Sequence, residues 1–198
     1  MTLTDITRNS SISSATVAEW YKFFREICAL KISDDLRKTK IGAPSLVVQI
    51  DETFLRKRKY NAGKKTKDEK ESRTIIGGVC IETGEAFSFV VNGGKRETIL
   101  PVMQKHVHQN SIIHSDGATI YKDLVEIGKQ YGWEIAHHDT VIHSKRQWRK
   151  FDTEYNKVTT NGVENLWRWL KSKCSGRGTK MDLQIQIHSY LYERKYLS

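Results

Sequence analysis

Three acidic residues occupy positions from which a fold could bring them together. Asp51 closes the short apolar run Leu46–Ile50, and Asp116 closes Ile112–Ser115. Glu164 sits in the first turn of an apolar-periodic stretch that follows a long irregular segment. Carboxylates are hard oxygen ligands that suit Mg²⁺ or Mn²⁺. Three that converge repel one another unless cations neutralise them. Two such ions roughly 4 Å apart form a phosphodiester-processing site: one activates the attacking water or 3′-hydroxyl, and the other stabilises the leaving oxygen. Taken singly, an Asp at a strand end also serves as a turn residue, and a Glu in a first helical turn stabilises the helix dipole. Glu52 is an alternative ligand to Asp51, because successive strand residues point to opposite faces.

The flanking patterns supply the elements that would carry these side chains. Thr16-Val-Ala-Glu19 fits a capping box, followed by Val17, Trp20, Tyr21, Phe24, Ile27, Cys28 and Leu30 at helical spacing, which predicts an amphipathic helix over 16–30. Residues 31–45 read as a linker ending in Gly42-Ala-Pro44. Strands are predicted at 46–50, 74–81 and 86–91, the last two joined as a hairpin by Glu82-Thr-Gly84-Glu85. Then follow a helix at 96–108, a strand at 111–114, a helix at 119–131, a strand at 133–136, an irregular stretch at 137–161, and helices at 162–174 and 181–192. A hairpin followed by strands that alternate with helices predicts an α/β fold, a mixed five-stranded sheet flanked by helices. The first and fourth strands can then be neighbours, which would set Asp51 beside Asp116.

The chain has 198 residues, a net charge of +10 and 38% hydrophobic side chains, enough to close a core. The charge is local. Arg56–Arg73 holds nine Lys/Arg against three Asp/Glu, and Lys145–Lys180 ten against three, so the remainder of the chain is net negative. Two basic runs of this kind favour a polyanion partner through counterion release. Arg56, Lys57, Arg58, Lys59, Lys64, Lys65, Lys145, Arg146 and Arg149 are the candidate backbone contacts. Cys28, Cys80 and Cys174 form no CxxC pair, which argues against a zinc ribbon and against a disulfide framework and points to a reducing compartment. No apolar run approaches a membrane span, and the polar start, Met1–Ser14, has no signal-peptide character.

Three ordered blocks carry a family resemblance. Val48-Gln-Ile-Asp51-Glu-Thr-Phe54 with Arg58-Lys-Tyr-Asn-Ala-Gly63 resembles the first acidic block of Merlin-type DDE transposases, relatives of bacterial insertion-sequence transposases. Ile113-His-Ser-Asp116-Gly-Ala-Thr-Ile-Tyr121 resembles the second block. Thr160-Asn-Gly-Val-Glu164-Asn-Leu-Trp167-Arg-Trp-Leu-Lys171 resembles the third, with its Glu and a Lys seven residues later. The tract from His143 to Phe151 resembles the stretch that precedes it. The likeness spans about residues 46–175 and implies an RNase H-like catalytic domain, here over 43–198, after an N-terminal helical segment, 1–42, that keeps part of a helix-turn-helix. The family's zinc-binding element finds no ligands in this sequence. The resemblance implies cleavage of double-stranded DNA at transposon ends and strand transfer by the 3′-hydroxyl. Asp51, Asp116 and Glu164 would hold two Mg²⁺ or Mn²⁺ ions, and Lys171 would contact phosphate. Asn161 would cap the Glu164 helix or touch DNA. The competing readings are a domesticated DNA-binding protein without strand transfer and a structure-specific nuclease. The 16–30 helix is expected to pack through Trp20, Tyr21 and Phe24 on the catalytic region or on a second subunit, so a homo-oligomer is expected. Localisation would be nuclear in a eukaryotic source and cytoplasmic otherwise.

Overall fold

The computed structural model describes residues 12–55, 74–141, 158–174 and 178–197. Helix α1 (Ser14–Lys38) leads into strand β1 (Val47–Phe54), then β2 (Thr74–Cys80) and β3 (Ala86–Val91). Helix α2 (Arg96–His106), strand β4 (Ile112–Asp116), a short 3₁₀ turn (Thr119–Tyr121), helix α3 (Leu124–Gln130) and strand β5 (His137–Val141) follow. Helices α4 (Asn161–Lys173) and α5 (Lys180–Tyr196) complete the described chain. The five strands form one sheet in the order β3-β2-β1-β4-β5. β1–β2 and β2–β3 are antiparallel, and β1–β4 and β4–β5 are parallel. This is the mixed five-stranded α/β sheet expected from the alternation of elements, with β1 at its centre between β2 and β4. Among the described residues no helix is long and apolar enough to cross a membrane.

Strand alternation assigns each side chain of β1 a face. Gln49, Asp51 and Thr53 look one way, and Val48, Ile50 and Glu52 the other. Helix α4 covers the first face. Its Val163, Leu166, Trp167 and Leu170 recur at three- and four-residue spacing and are all buried. Helix α5 closes the β3 edge. Val90 N–H donates to Gln184 Oε1 at 2.8 Å, and Gln184 Nε2 donates to the Ser88 carbonyl at 3.1 Å. The side chain of Gln184 thus replaces a sixth strand and removes an edge that could template aggregation. Thr179 and Asp182 form the capping box that starts α5.

Several boundaries differ from the sequence reading, each for a local reason. Helix α1 runs to Lys38 rather than ending near Leu30, because Asp34 and Asp35 pair with Lys38 and Lys31 one turn away. Its cap is Ser13, whose hydroxyl accepts Thr16 N–H at 3.1 Å, so the predicted box at Thr16–Glu19 lies inside the helix. Trp20, Tyr21 and Phe24 are exposed and do not join the core of the described residues. The buried residues of α1 are instead Val17, Ala29, Ile32 and Leu36. Ser33 bonds His188, and Asp35 bonds Lys195 and Tyr196, so α1 runs alongside α5 in the same direction. β1 continues through Asp51 and Glu52 to Phe54. β5 lies at 137–141, not 133–136: its polar run is held by the backbone ladder to β4, by Ser115–His138 at 2.9 Å and by His137–Asp139 at 3.1 Å.

Burial disfavours the charged form of several histidines. Burial pushes His106, His138 and His188 each down to about 4. His106 stacks on Phe89 with ring centroids 4.4 Å apart. A histidine depressed in the folded state takes up its proton more readily when unfolded, so its contribution is complete above the unfolded value of about 6.5 and is lost as pH falls toward 4. Denaturant melts between pH 7 and 4.5 should therefore show a shallower acid loss for His106→Phe than for the wild type, by on the order of 1–3 kcal/mol. Parallel pH slopes for the two proteins would show that His106 does not resist charging.

Candidate functional site

The site forms where β1, β4 and the start of α4 meet. β1 and β4 pair in parallel up to Gln49–His114. Asp51 and Asp116 each lie two residues further on, at the same end of strands that run about 4.8 Å apart. α4 crosses above with Glu164 in its first turn. Each carboxylate has an internal donor. Trp167 Nε1–H donates to Asp51 Oδ2 at 2.9 Å, Ala118 N–H to Asp116 Oδ1 at 3.0 Å, and the Thr160 hydroxyl to Glu164 Oε1 at 2.8 Å. Asp51 and Asp116 are half-buried, while Glu164 is exposed.

Electrostatics tie the three together. Burial pushes the Asp51 carboxyl up to about 6, and the charges of Asp116 and Glu164 push in the same direction. The Trp167 indole and the Glu52 backbone pull it back. The carboxylates thus act on one another without being drawn to one point: among the described residues no group of three His, Cys, Asp or Glu is gathered closely enough to hold an ion as it stands. The donor set is nonetheless the right one for a hard divalent cation, all oxygen and anionic. A cation between these carboxylates would relieve the repulsion that Asp51 registers. Asp51, Asp116 and Glu164 are the residues that would hold it.

Glu52 faces away from α4. It lies beside Tyr121, itself 1% exposed. Burial, with the charges of Asp51 and Asp116, pushes Glu52 up to about 8. Neither Glu52 Oε1 nor the Tyr121 hydroxyl completes a well-formed hydrogen bond. Tyr121 is positioned by Arg96, which donates to the carbonyls of Thr119, Ile120 and Lys122 at 2.7–2.9 Å and so fixes the turn that follows Asp116.

Two positioning residues went unread in the sequence. Gln49 is 3% exposed and shares a strand face with Asp51. Its Oε1 accepts the N–H groups of Gly162 at 2.7 Å and Val163 at 3.3 Å, and its Nε2 donates to Thr159 Oγ1 at 3.0 Å. The amides that open α4 are therefore satisfied from β1 and not by a local cap, and Asn161 is simply the exposed first residue of the helix. The available signal was a lone amide in an apolar strand, two residues before Asp51. Gly77 is the second. It pairs with Asp51 in the ladder, and a Cβ there would stand 2.5 Å from the Trp167 ring and 2.9 Å from the Phe87 carbonyl oxygen. Only a glycine leaves room for the indole to reach Asp51.

Of the remaining candidates, Lys171 is exposed two turns beyond Glu164. Trp167 is core, while Trp169 is 49% exposed with the Arg168 guanidinium 5.5 Å from its ring centre. Arg56, Lys57, Arg58, Lys59, Lys64, Lys65, Lys145, Arg146 and Arg149 lie outside the described residues.

Two substitutions test this geometry. Gln49→Leu strands the opening amides of α4 and should cost about 1–3 kcal/mol in denaturant midpoint analysis. Trp167→Phe keeps the ring but removes the donor. The Asp51 carboxyl, followed by carbon-detected NMR titration, should then titrate above its value of about 6. A carboxyl that titrates lower in the variant contradicts the indole's role.

The family model described as the ISXO2-like transposase domain matches residues 45–197. No curated protein matches the sequence significantly. Among solved structures, the catalytic core domain of BIV integrase is similar with a TM-score of 0.42 and 15% identity, covering 71% of this chain and 80% of that one.

Proposed function

We propose that this chain, which belongs to the family of ISXO2-like transposase domains, is a metal-dependent DNA transposase that cleaves phosphodiesters at transposon ends and joins them by the freed 3′-hydroxyl. The observation that carries the reading is the mutual influence of Asp51, Asp116 and Glu164 at one end of a five-stranded sheet. Within the family, the order and content of the three acidic blocks favour the Merlin-type branch. Residues 43–198 would be the catalytic domain and 1–42 a helical segment attached to it. In a eukaryotic source the protein would act in the nucleus, and otherwise in the cytoplasm.

Two Mg²⁺ or Mn²⁺ ions, when bound, would polarise the attacked phosphate and lower the pKa of the attacking water or hydroxyl. The chain's own work is placement. Asp51 is held by a neutral donor, the Trp167 indole, which orients the carboxylate without cancelling its charge. Thr160 fixes the rotamer of Glu164. Lys171, on the same helical side as Glu164, would meet a DNA phosphate next to the acidic cluster. The basic residues of 56–73 and 145–149 would track the backbone of the duplex and give affinity without sequence preference.

Asp51→Asn, Asp116→Asn and Glu164→Gln should each lower strand cleavage by about 10³-fold or more while retaining DNA binding. Cleavage that persists in Asp51→Asn and Asp116→Asn would remove these residues from the chemistry. Ligation of a metal requires the ionised carboxylate. Because Asp51 is raised to about 6, Mn²⁺ affinity measured by calorimetry should climb as pH rises through that value, with proton release. Neutralising Arg56, Lys57, Arg58 and Lys59 should flatten the salt dependence of DNA binding by about one unit per lost phosphate contact.

A further inference from the structure

Helix α1 has two apolar sides, and the fold uses one. Ala29, Ile32 and Leu36 are buried along α5. About 160° around the helix axis, Trp20, Phe23, Phe24, Ile27 and Leu30 are exposed by 54%, 51%, 57%, 46% and 68%. The rings of Trp20, Phe23 and Phe24 touch one another, with centroids 5.7–6.0 Å apart, and each is half or more exposed. A contiguous stripe of this size is unusual on a monomer.

The spacing within the stripe identifies its occupant. Trp20, Phe23, Ile27 and Leu30 are separated by three, four and three residues, the a-d-a-d pattern by which two identical helices interlock. Glu26 and Lys31 then take the flanking positions that face each other across a parallel pair, five residues apart; Lys31 also pairs with Asp35 of its own helix, so Glu26 of the second copy would join that pair as a further acidic partner. An antiparallel pair that matches the same apolar layers would set Glu26 against its own copy. Each half-exposed side chain brings about 100 Å² to the contact. Five of them from each copy bury about 1,000 Å² before the flanking polar groups are added, the level at which a specific interface begins. From this stripe, its heptad spacing and its flanking charges, we infer that α1 pairs in parallel with α1 of a second copy of this chain, making a homodimer through its outer face. The catalytic domains would stand on the α5 side of each helix, away from the seam. The inference concerns assembly and is read separately from cleavage.

Sedimentation of the full chain over a concentration series tests it. The wild type should move as a dimer at about 50 μM, in the range expected of a small interface. Ile27→Glu should weaken dimerisation by about 100-fold or more, because it buries an unpaired charge. The position is exposed, so circular dichroism and the melting temperature should be unchanged. A near-native second variant gives the direction: Leu30→Cys in a Cys28→Ser background should form a disulfide with its own copy under mild oxidation, as only a parallel pair allows. A wild type that stays monomeric at that concentration overturns the proposal, as does an Ile27→Glu protein that dimerises normally. A full chain that is monomeric while a chain starting at residue 12 dimerises would assign the stripe to the protein's own N-terminal residues and equally overturn it.

Discussion

One buried amide joins the two halves of the site. Gln49 sits in the central strand and supplies the acceptor for the amides that begin α4, so the height and direction of that helix are set from β1. The separation between Asp51 and Glu164 is therefore not left to the packing of a helix on a sheet, which tolerates shifts of an ångström or more. It is referred to one side chain two residues from Asp51. Trp167 makes the second tie, two positions after Asn165 and nearly one turn beyond Glu164, where its indole reaches back to the carboxylate of β1. Both ties depend on small residues where helix and sheet meet: Gly162 of α4, whose amide meets Gln49, and Gly77 of β2, which leaves the space that the indole fills.

This arrangement also explains how the carboxylates can act on one another. Asp51 is half-buried and feels the charges of Asp116 and Glu164, conditions that oppose its ionisation. A lysine or arginine next to it would remove that pressure, and with it the negative potential that the proposed divalent cations would meet. The fold instead uses donors that carry no charge: an indole for Asp51, a backbone amide for Asp116 and a hydroxyl for Glu164. The geometry is held while the negative potential is kept. Glu52, turned to the opposite face and pushed up to about 8, is largely protonated at neutral pH and so adds little repulsion of its own.

The sheet was legible because its strands are short, β-branched and bounded by turn residues, and because Asp51 and Asp116 follow apolar runs whose strands can be neighbours. The three acidic blocks stood out together through their family resemblance. Gln49 and Gly77 were not, since a polar residue in a strand and a glycine in a strand each have many local explanations, and their partners lie 113 and 90 positions away in sequence. β5 was misplaced because its residues, His137 to Val141, are polar. Their side chains pair with one another and with Ser115, a form of burial that hydropathy does not register. The end of α1 was misread for a related reason: Asp34, Asp35, Arg37 and Lys38 resemble a linker in composition but are matched in charge at helical spacing.

That extension of α1 changes what its aromatic residues mean. A helix that stopped near Leu30 would have had to use Trp20, Tyr21 and Phe24 to hold the catalytic region, because no other apolar side would exist. With the last turns in place, Ile32 and Leu36 do that work, and Asp35 ties the helix end to Lys195 and Tyr196 of α5. The aromatic face is left over by geometry, since residues at 20, 23 and 27 cannot share a side with those at 29, 32 and 36. Burial of hydrophobic area is roughly additive, so leaving five large side chains in water forgoes several kcal/mol that the described elements do not recover. The inner face of α1 thus supports the fold, and the outer face is left for the association proposed above.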